Sequence, residues 1–180
     1  MQNFYPISRV LYNLFVLLFW LTPLLYLAYW FDPHHTLVNC GWRLAGMTNA
    51  NLPNLAQLSW PVRFTAWIVS WIPMLVDMFI WYFLIKLFGA YRKGIIFSSG
   101  NAKAIRNIGI TLLIWEIATL PYQLLLTFVM TAMQPAGQHF IAVSYSNHDL
   151  TTLLTAFIII VIGWIMQRGA DLAEEQALTV

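Results

Sequence analysis

The sequence predicts an all-α fold: an integral membrane bundle of four transmembrane helices, with both termini cytoplasmic and a long exterior loop between the first two helices. Three observations lead there. Hydrophobic residues make up 60% of the chain and charged ones only 9%, whereas soluble domains carry about 25% charged residues. Four stretches approach or exceed the roughly 20 apolar residues needed to cross a hydrocarbon core about 30 Å thick. The basic residues gather beside particular ends of those stretches instead of forming a stripe. The 180 residues contain no polar linker and read as a single membrane domain, 1–180.

The first span, residues 10–30, follows Arg9 and contains no charge. A secretory signal has an apolar region of about 7 to 15 residues and a small-x-small cleavage site. This run is longer and ends in Tyr29, Trp30 and Phe31, so it is expected to stay attached, with its aromatics at the interface. The other spans are predicted at 64–88, 108–133 and 150–166. Pro23, Pro73 and Pro121 fall inside the first three, where a missing N–H and a ring clash predict kinks.

Orientation follows from lysine and arginine, which are retained in short cytoplasmic segments. Arg9, Lys86, Arg92, Lys93, Lys103, Arg106 and Arg168 fall on one side, and only Arg43 and Arg63 on the other. The loop 89–107 and the tail 167–180 are therefore expected in the cytoplasm, and residues 31–63 and 134–149 outside. A bacterial inner membrane is the expected location. The net charge of +2 is too small to predict direct nucleic-acid binding.

Asp77 and Glu116 lie inside the second and third spans, where a charge costs at least about 2.5 kcal/mol at mid-span. In one reading they form, with Gln123 and Tyr122, a relay or ligand site of a small transporter or channel subunit. In the other they are hydrogen-bonded to a neighbouring helix through Thr119, Ser70 or a tryptophan N–H and fix packing alone. Lys86 is near enough to its span's end to snorkel. Small residues in span four, Ala156 and Gly163, would allow the close packing of a homo-oligomer.

His34, His35, His139 and His148 all occupy the exterior segments, with Asp32, Cys40 and Asp149. Imidazoles of this kind suit zinc or copper, yet no familiar ligand spacing is present, so no metal is expected. One cysteine excludes an internal disulfide. The loop 31–63 is long for a structureless connection, and its Trp42 and Trp60 predict a connector lying at headgroup level or a ligand-binding cap. No nucleophile elbow, His-Glu-x-x-His, phosphate loop or dinucleotide fingerprint occurs, and no span holds a histidine for haem. An enzyme and a cofactor are not expected.

The cytoplasmic loop reads as a turn followed by a new helix. Gly94 and residues 98–100 break the chain, Asn101 is placed to cap the helix, and Lys103 and Arg106 share one side of its first turns. The tail, 170–180, has a helical pattern with Leu172 beside Glu174 and Glu175. Gly94, Phe97, Ser98, Asn101, Ile105, Arg106, Ile108 and Gly109, with Glu174, Glu175, Leu178, Thr179 and Val180, resemble the pattern of domain-of-unknown-function family 2975, small bacterial membrane proteins. The resemblance covers the cytoplasmic loop, the last two spans and the tail. It implies four spans, and some members look like partners of a small helix-turn-helix regulator. The expected function is a sensor or regulatory subunit contacting a cytoplasmic protein through Arg92, Lys93, Lys103, Arg106, Glu174, Glu175 and Val180.

Overall fold

A computed structural model describes residues 4–31, 59–132 and 147–178, and the described residues are helical apart from short connections. The helices are α1 (Phe4–Phe31), α2 (Trp60–Val69), α3 (Trp71–Tyr91), α4 (Ser99–Thr131) and α5 (Asn147–Leu178). α2 and α3 follow one another as a single rod, so the elements make four spans: Pro6–Phe31, Trp60–Tyr91, Ser99–Thr131 and Leu150–Gln176. All four are long and apolar enough to cross a membrane. Their outer faces carry large apolar side chains, among them Trp20, Ile117, Phe128 and Ile165, as expected where lipid replaces water as the solvent.

The helices are longer than the apolar stretches alone indicate. Arg9 lies within α1, α2 starts at Trp60 instead of residue 64, α4 starts at Ser99 instead of 108, and α5 continues through Arg168 to Leu178. Hydropathy marks only the part that lipid covers, and a helix satisfies its own backbone whether or not it is in lipid. At 1.5 Å per residue, the 33 residues of α4 and the 32 of α5 extend about 50 Å each, well beyond a hydrocarbon core of about 30 Å.

Of the three prolines, only Pro73 coincides with a break, and α1 and α4 run unbroken through Pro23 and Pro121. Pro73 cannot donate to the Val69 carbonyl, and the rod is interrupted at Ser70. There the Ser70 hydroxyl and N–H both donate to Ala66 O, at 2.9 and 3.0 Å. The restarted helix then tolerates proline because the first-turn N–H groups have no intrahelical acceptor.

The spans alternate in direction. Tyr12 approaches Gly89, Tyr26 meets Asp77 and Trp30 meets Ser70, so α1 is antiparallel to α3. Ser99 meets Gln167, and Gly109 lies against Ala156 and Ile160, so α4 is antiparallel to α5. The core sits where α1, α2 and α4 converge: Tyr26, Trp30, Val62, Ala66, Trp115, Tyr122, Leu126 and Met130. α5 packs on α4 through Ala156, Gly163 and Ala170, a seven-residue spacing of small side chains.

At Gly163 and Gly109 the backbones nearly touch. A Cβ on Gly163 would stand 2.9 Å from both N and Cα of Arg106, and one on Gly109 would stand 2.8 Å from Ala156 O. The small residues of span four are thus occupied by α4 of the same chain. That corrects the expectation that Ala156 and Gly163 serve a contact between copies.

Candidate functional site

Two regions hold the residues singled out by sequence. The first is a polar node inside the bundle. The Tyr26 hydroxyl donates to Asp77 Oδ2 at 3.0 Å, and one turn further along α1 the Trp30 indole N–H donates to Ser70 Oγ at 2.8 Å. Trp30 and Ser70 are almost wholly buried. Ser70 accepts from α1 while donating to Ala66 O, so it uses its hydroxyl proton and a lone pair at once. Trp81 Nε1 donates to Thr22 Oγ1 at 3.1 Å, adding a third tie between α1 and α3.

Tyr122 brings α4 to this node. Its ring packs on Trp115 with centroids 5.8 Å apart, and its buried hydroxyl lies beside Ser70. Glu116 is half-buried next to Trp115 in α4, and Gln123 is buried beside Tyr122. The partner of Asp77 differs from the expected ones. Asp77 is held by a tyrosine of α1, the tryptophan N–H goes to Ser70, and Thr119 donates back to Trp115 O of its own helix at 2.9 Å. Thr22, Thr127 and Thr131 bond back to their own helices in the same way, an ordinary outlet for a hydroxyl in a nonaqueous span.

The second region is the end of the bundle where α3 turns into α4. Gly94, at φ 80°, closes α3 in the left-handed conformation that glycine adopts without steric cost. The Ile95 N–H reaches back to Ala90 O and the Gly94 N–H to Tyr91 O, at 3.1 and 3.0 Å. That pair of bonds is the Schellman pattern.

The cap of α4 is Ser98, whose hydroxyl accepts from Asn101 N at 3.2 Å. Asn101, expected to be the cap, performs another task. Its side-chain amide donates to Ile95 O at 2.8 Å and Ile96 O at 2.9 Å, satisfying two loop carbonyls from a position 3% exposed. Asparagine supplies both donors from one nitrogen, which serine at the same place cannot do.

Around this turn Arg92, Lys93 and Lys103 are exposed. Arg92 lies 4.2 Å above the Tyr12 ring, a cation–π contact that fastens the turn to α1. Arg106 differs from its neighbours: it is half-buried against Gly163, and its Nε has no hydrogen-bond partner. Lys103 and Arg106 therefore do not present equivalent surfaces. Gln167 Nε2 bridges Ser99 Oγ at 3.0 Å and Asp171 Oδ1 at 2.8 Å, pinning α5 to the start of α4. Past Asp171, residues 172–176 are all exposed, including Leu172, Glu174 and Glu175. Val180, Thr179, His34, His35, Cys40, Trp42 and His139 lie outside the described residues, as do the side chains of His148 and Asp149.

A family described as "Protein of unknown function (DUF2975)" matches residues 43–180. The chain belongs to this family. The DUF2975 match extends further than the resemblance in the last two spans and tail, since it also takes in α2, α3 and part of the preceding loop. No curated protein and no solved structure matches the chain. Sequence reasoning missed Tyr26 and Trp30 as the donors at the polar node, and Arg63, which is buried to 7% exposure and lies 5.4 Å from the Trp60 ring centroid. The signal for the first two was available: Tyr26 and Trp30 are four residues apart, hence on one helix face.

Proposed function

We propose that this DUF2975 protein is a non-catalytic sensor or regulatory subunit of the bacterial inner membrane, acting on a cytoplasmic protein through the α3–α4 turn and the end of α5. Both termini face the cytoplasm in this reading, on the strength of the seven basic residues that gather at one end of the bundle. The observation that carries it is the behaviour of α5. The helix is tied to α4 by the Gln167–Ser99 hydrogen bond and then continues to Leu178, with residues 172–176 exposed. A rigid helical extension bearing Leu172, Glu174 and Glu175 is suited to an amphipathic, basic partner surface. A helix-turn-helix regulator is the partner class that the family resemblance implies.

The transporter alternative rests on Asp77 and Glu116. Asp77 already receives the Tyr26 hydroxyl, and this bond and that of Trp30 to Ser70 separately join α1 to the α2–α3 rod, which supports a packing role. The discriminating experiment is crosslinking in native membranes followed by capture, comparing the intact chain with one lacking residues 174–180. A cytoplasmic protein recovered only with the intact chain supports the regulator. Identical recovery from both removes the tail from the account and makes Asp77→Asn and Glu116→Gln the next variants to assay.

A further inference from the structure

Ile95, Ile96 and Phe97 are exposed to 49, 38 and 73%, and they are not on a span. Apolar side chains on the faces of α1 to α5 have lipid to meet. These three stand in the connection between two spans, where a water-facing loop ordinarily carries polar residues.

Their display is built. Gly94 sets the turn with its positive φ, the buried Asn101 amide holds the carbonyls of Ile95 and Ile96, and Ser98 caps the helix that follows. With the backbone tied inward by these bonds, the apolar side chains are left outside. Around them stand three exposed cations, Arg92, Lys93 and Lys103, and Arg92 is fastened to Tyr12 near the start of the first span.

We infer that the turn 92–98 is a lipid-binding tongue, in which Ile95, Ile96 and Phe97 enter the interfacial layer of an anionic leaflet while Arg92, Lys93 and Lys103 engage its phosphate headgroups. The length of the connection and its charge decide between membrane and protein as the occupant. Only residues 92–98 separate α3 from α4, so the tongue stays beside the two span ends it joins. An apolar tip ringed by cations is the combination that interfacial lipid binding requires. This assigns to lipid the turn that the regulator reading shares with a protein partner, and it leaves that partner the end of α5.

The test uses the full chain with Cys40→Ser, carrying a nitroxide on Phe97→Cys, reconstituted in vesicles of phosphatidylcholine alone or mixed with phosphatidylglycerol. The nitroxide is expected to collide with dissolved oxygen more than with a water-soluble nickel chelate. A companion chain with Lys93→Gln and Lys103→Gln keeps the wild-type loop tip. Each cation near an anionic surface is worth about fivefold in association, so this variant, two cations short, is expected to lose about 25-fold in its preference for phosphatidylglycerol, with circular dichroism unchanged. A nitroxide open to the nickel chelate in both vesicles overturns the inference, as does an unchanged lipid preference in the double variant. Shielding of the label that appears only on adding cytosolic protein overturns it too, and assigns the tongue to a protein partner.

Discussion

Replacing Gly163 by alanine adds one methyl group at the closest approach of α4 and α5. The new Cβ would lie 2.8 Å from Arg106 Cβ and 2.9 Å from both Arg106 Cα and N, where two of the three atoms are backbone and cannot rotate away. Overpacking of this kind costs about 1–3 kcal/mol. Gly169 lies in the same helix with nothing within 4 Å of an added Cβ, so Gly169→Ala gains only the helix preference of alanine over glycine, up to about 1 kcal/mol. That preference is common to both substitutions, and the difference between the two variants isolates the clash. For a chain of this size 1 kcal/mol moves Tm by about 2–4 °C, so Gly163→Ala is expected to melt roughly 2–12 °C below Gly169→Ala. The assay is thermal unfolding of each purified chain in one detergent, followed by circular dichroism. Equal melting temperatures, or Gly169→Ala as the less stable, would refute the packing of α5 on α4.

Other perturbations follow from the two regions. Tyr26→Phe removes the donor to Asp77 and is expected to destabilise by about 1–3 kcal/mol, whereas Asp77→Asn keeps an acceptor oxygen and is expected to cost less than about 1 kcal/mol; equilibrium unfolding in mixed micelles compares them. Asn101→Ala leaves the Ile95 and Ile96 carbonyls without their shared donor, at about 1–3 kcal/mol, and hydrogen exchange of residues 92–98 should rise while that of α5 does not. Gly94→Ala forces an L side chain to φ 80° at about 1–2 kcal/mol, read as a lower Tm.

The four spans were legible because lipid as solvent leaves a coarse signature: long apolar runs and few charges. The helix ends were not, because hydropathy falls where the bilayer stops and hydrogen bonding continues, as at Ser99 and Leu178. Of three prolines inside spans, sequence could not single out Pro73 as the one at an interruption. There Ser70 both bonds back to Ala66 and receives Trp30 from α1, a tertiary contact that local pattern does not carry. Ser98 and Asn101 are both good capping residues. Which one caps depended on the positions of the Ile95 and Ile96 carbonyls, known only once Gly94 has turned the chain. Ala156 and Gly163 were recognisable as close-packing residues, but their partner, α4 of the same chain, follows from the antiparallel register alone.

The central claim is that α5 delivers its exposed acidic end to the cytoplasm, where a partner protein can reach it. Placing a single cysteine at Ala173, an exposed position, in a Cys40→Ser chain allows the side to be read with a membrane-impermeant maleimide. The account predicts no labelling of intact cells and full labelling of inside-out vesicles. Labelling of intact cells would place the end of α5 outside and contradict it.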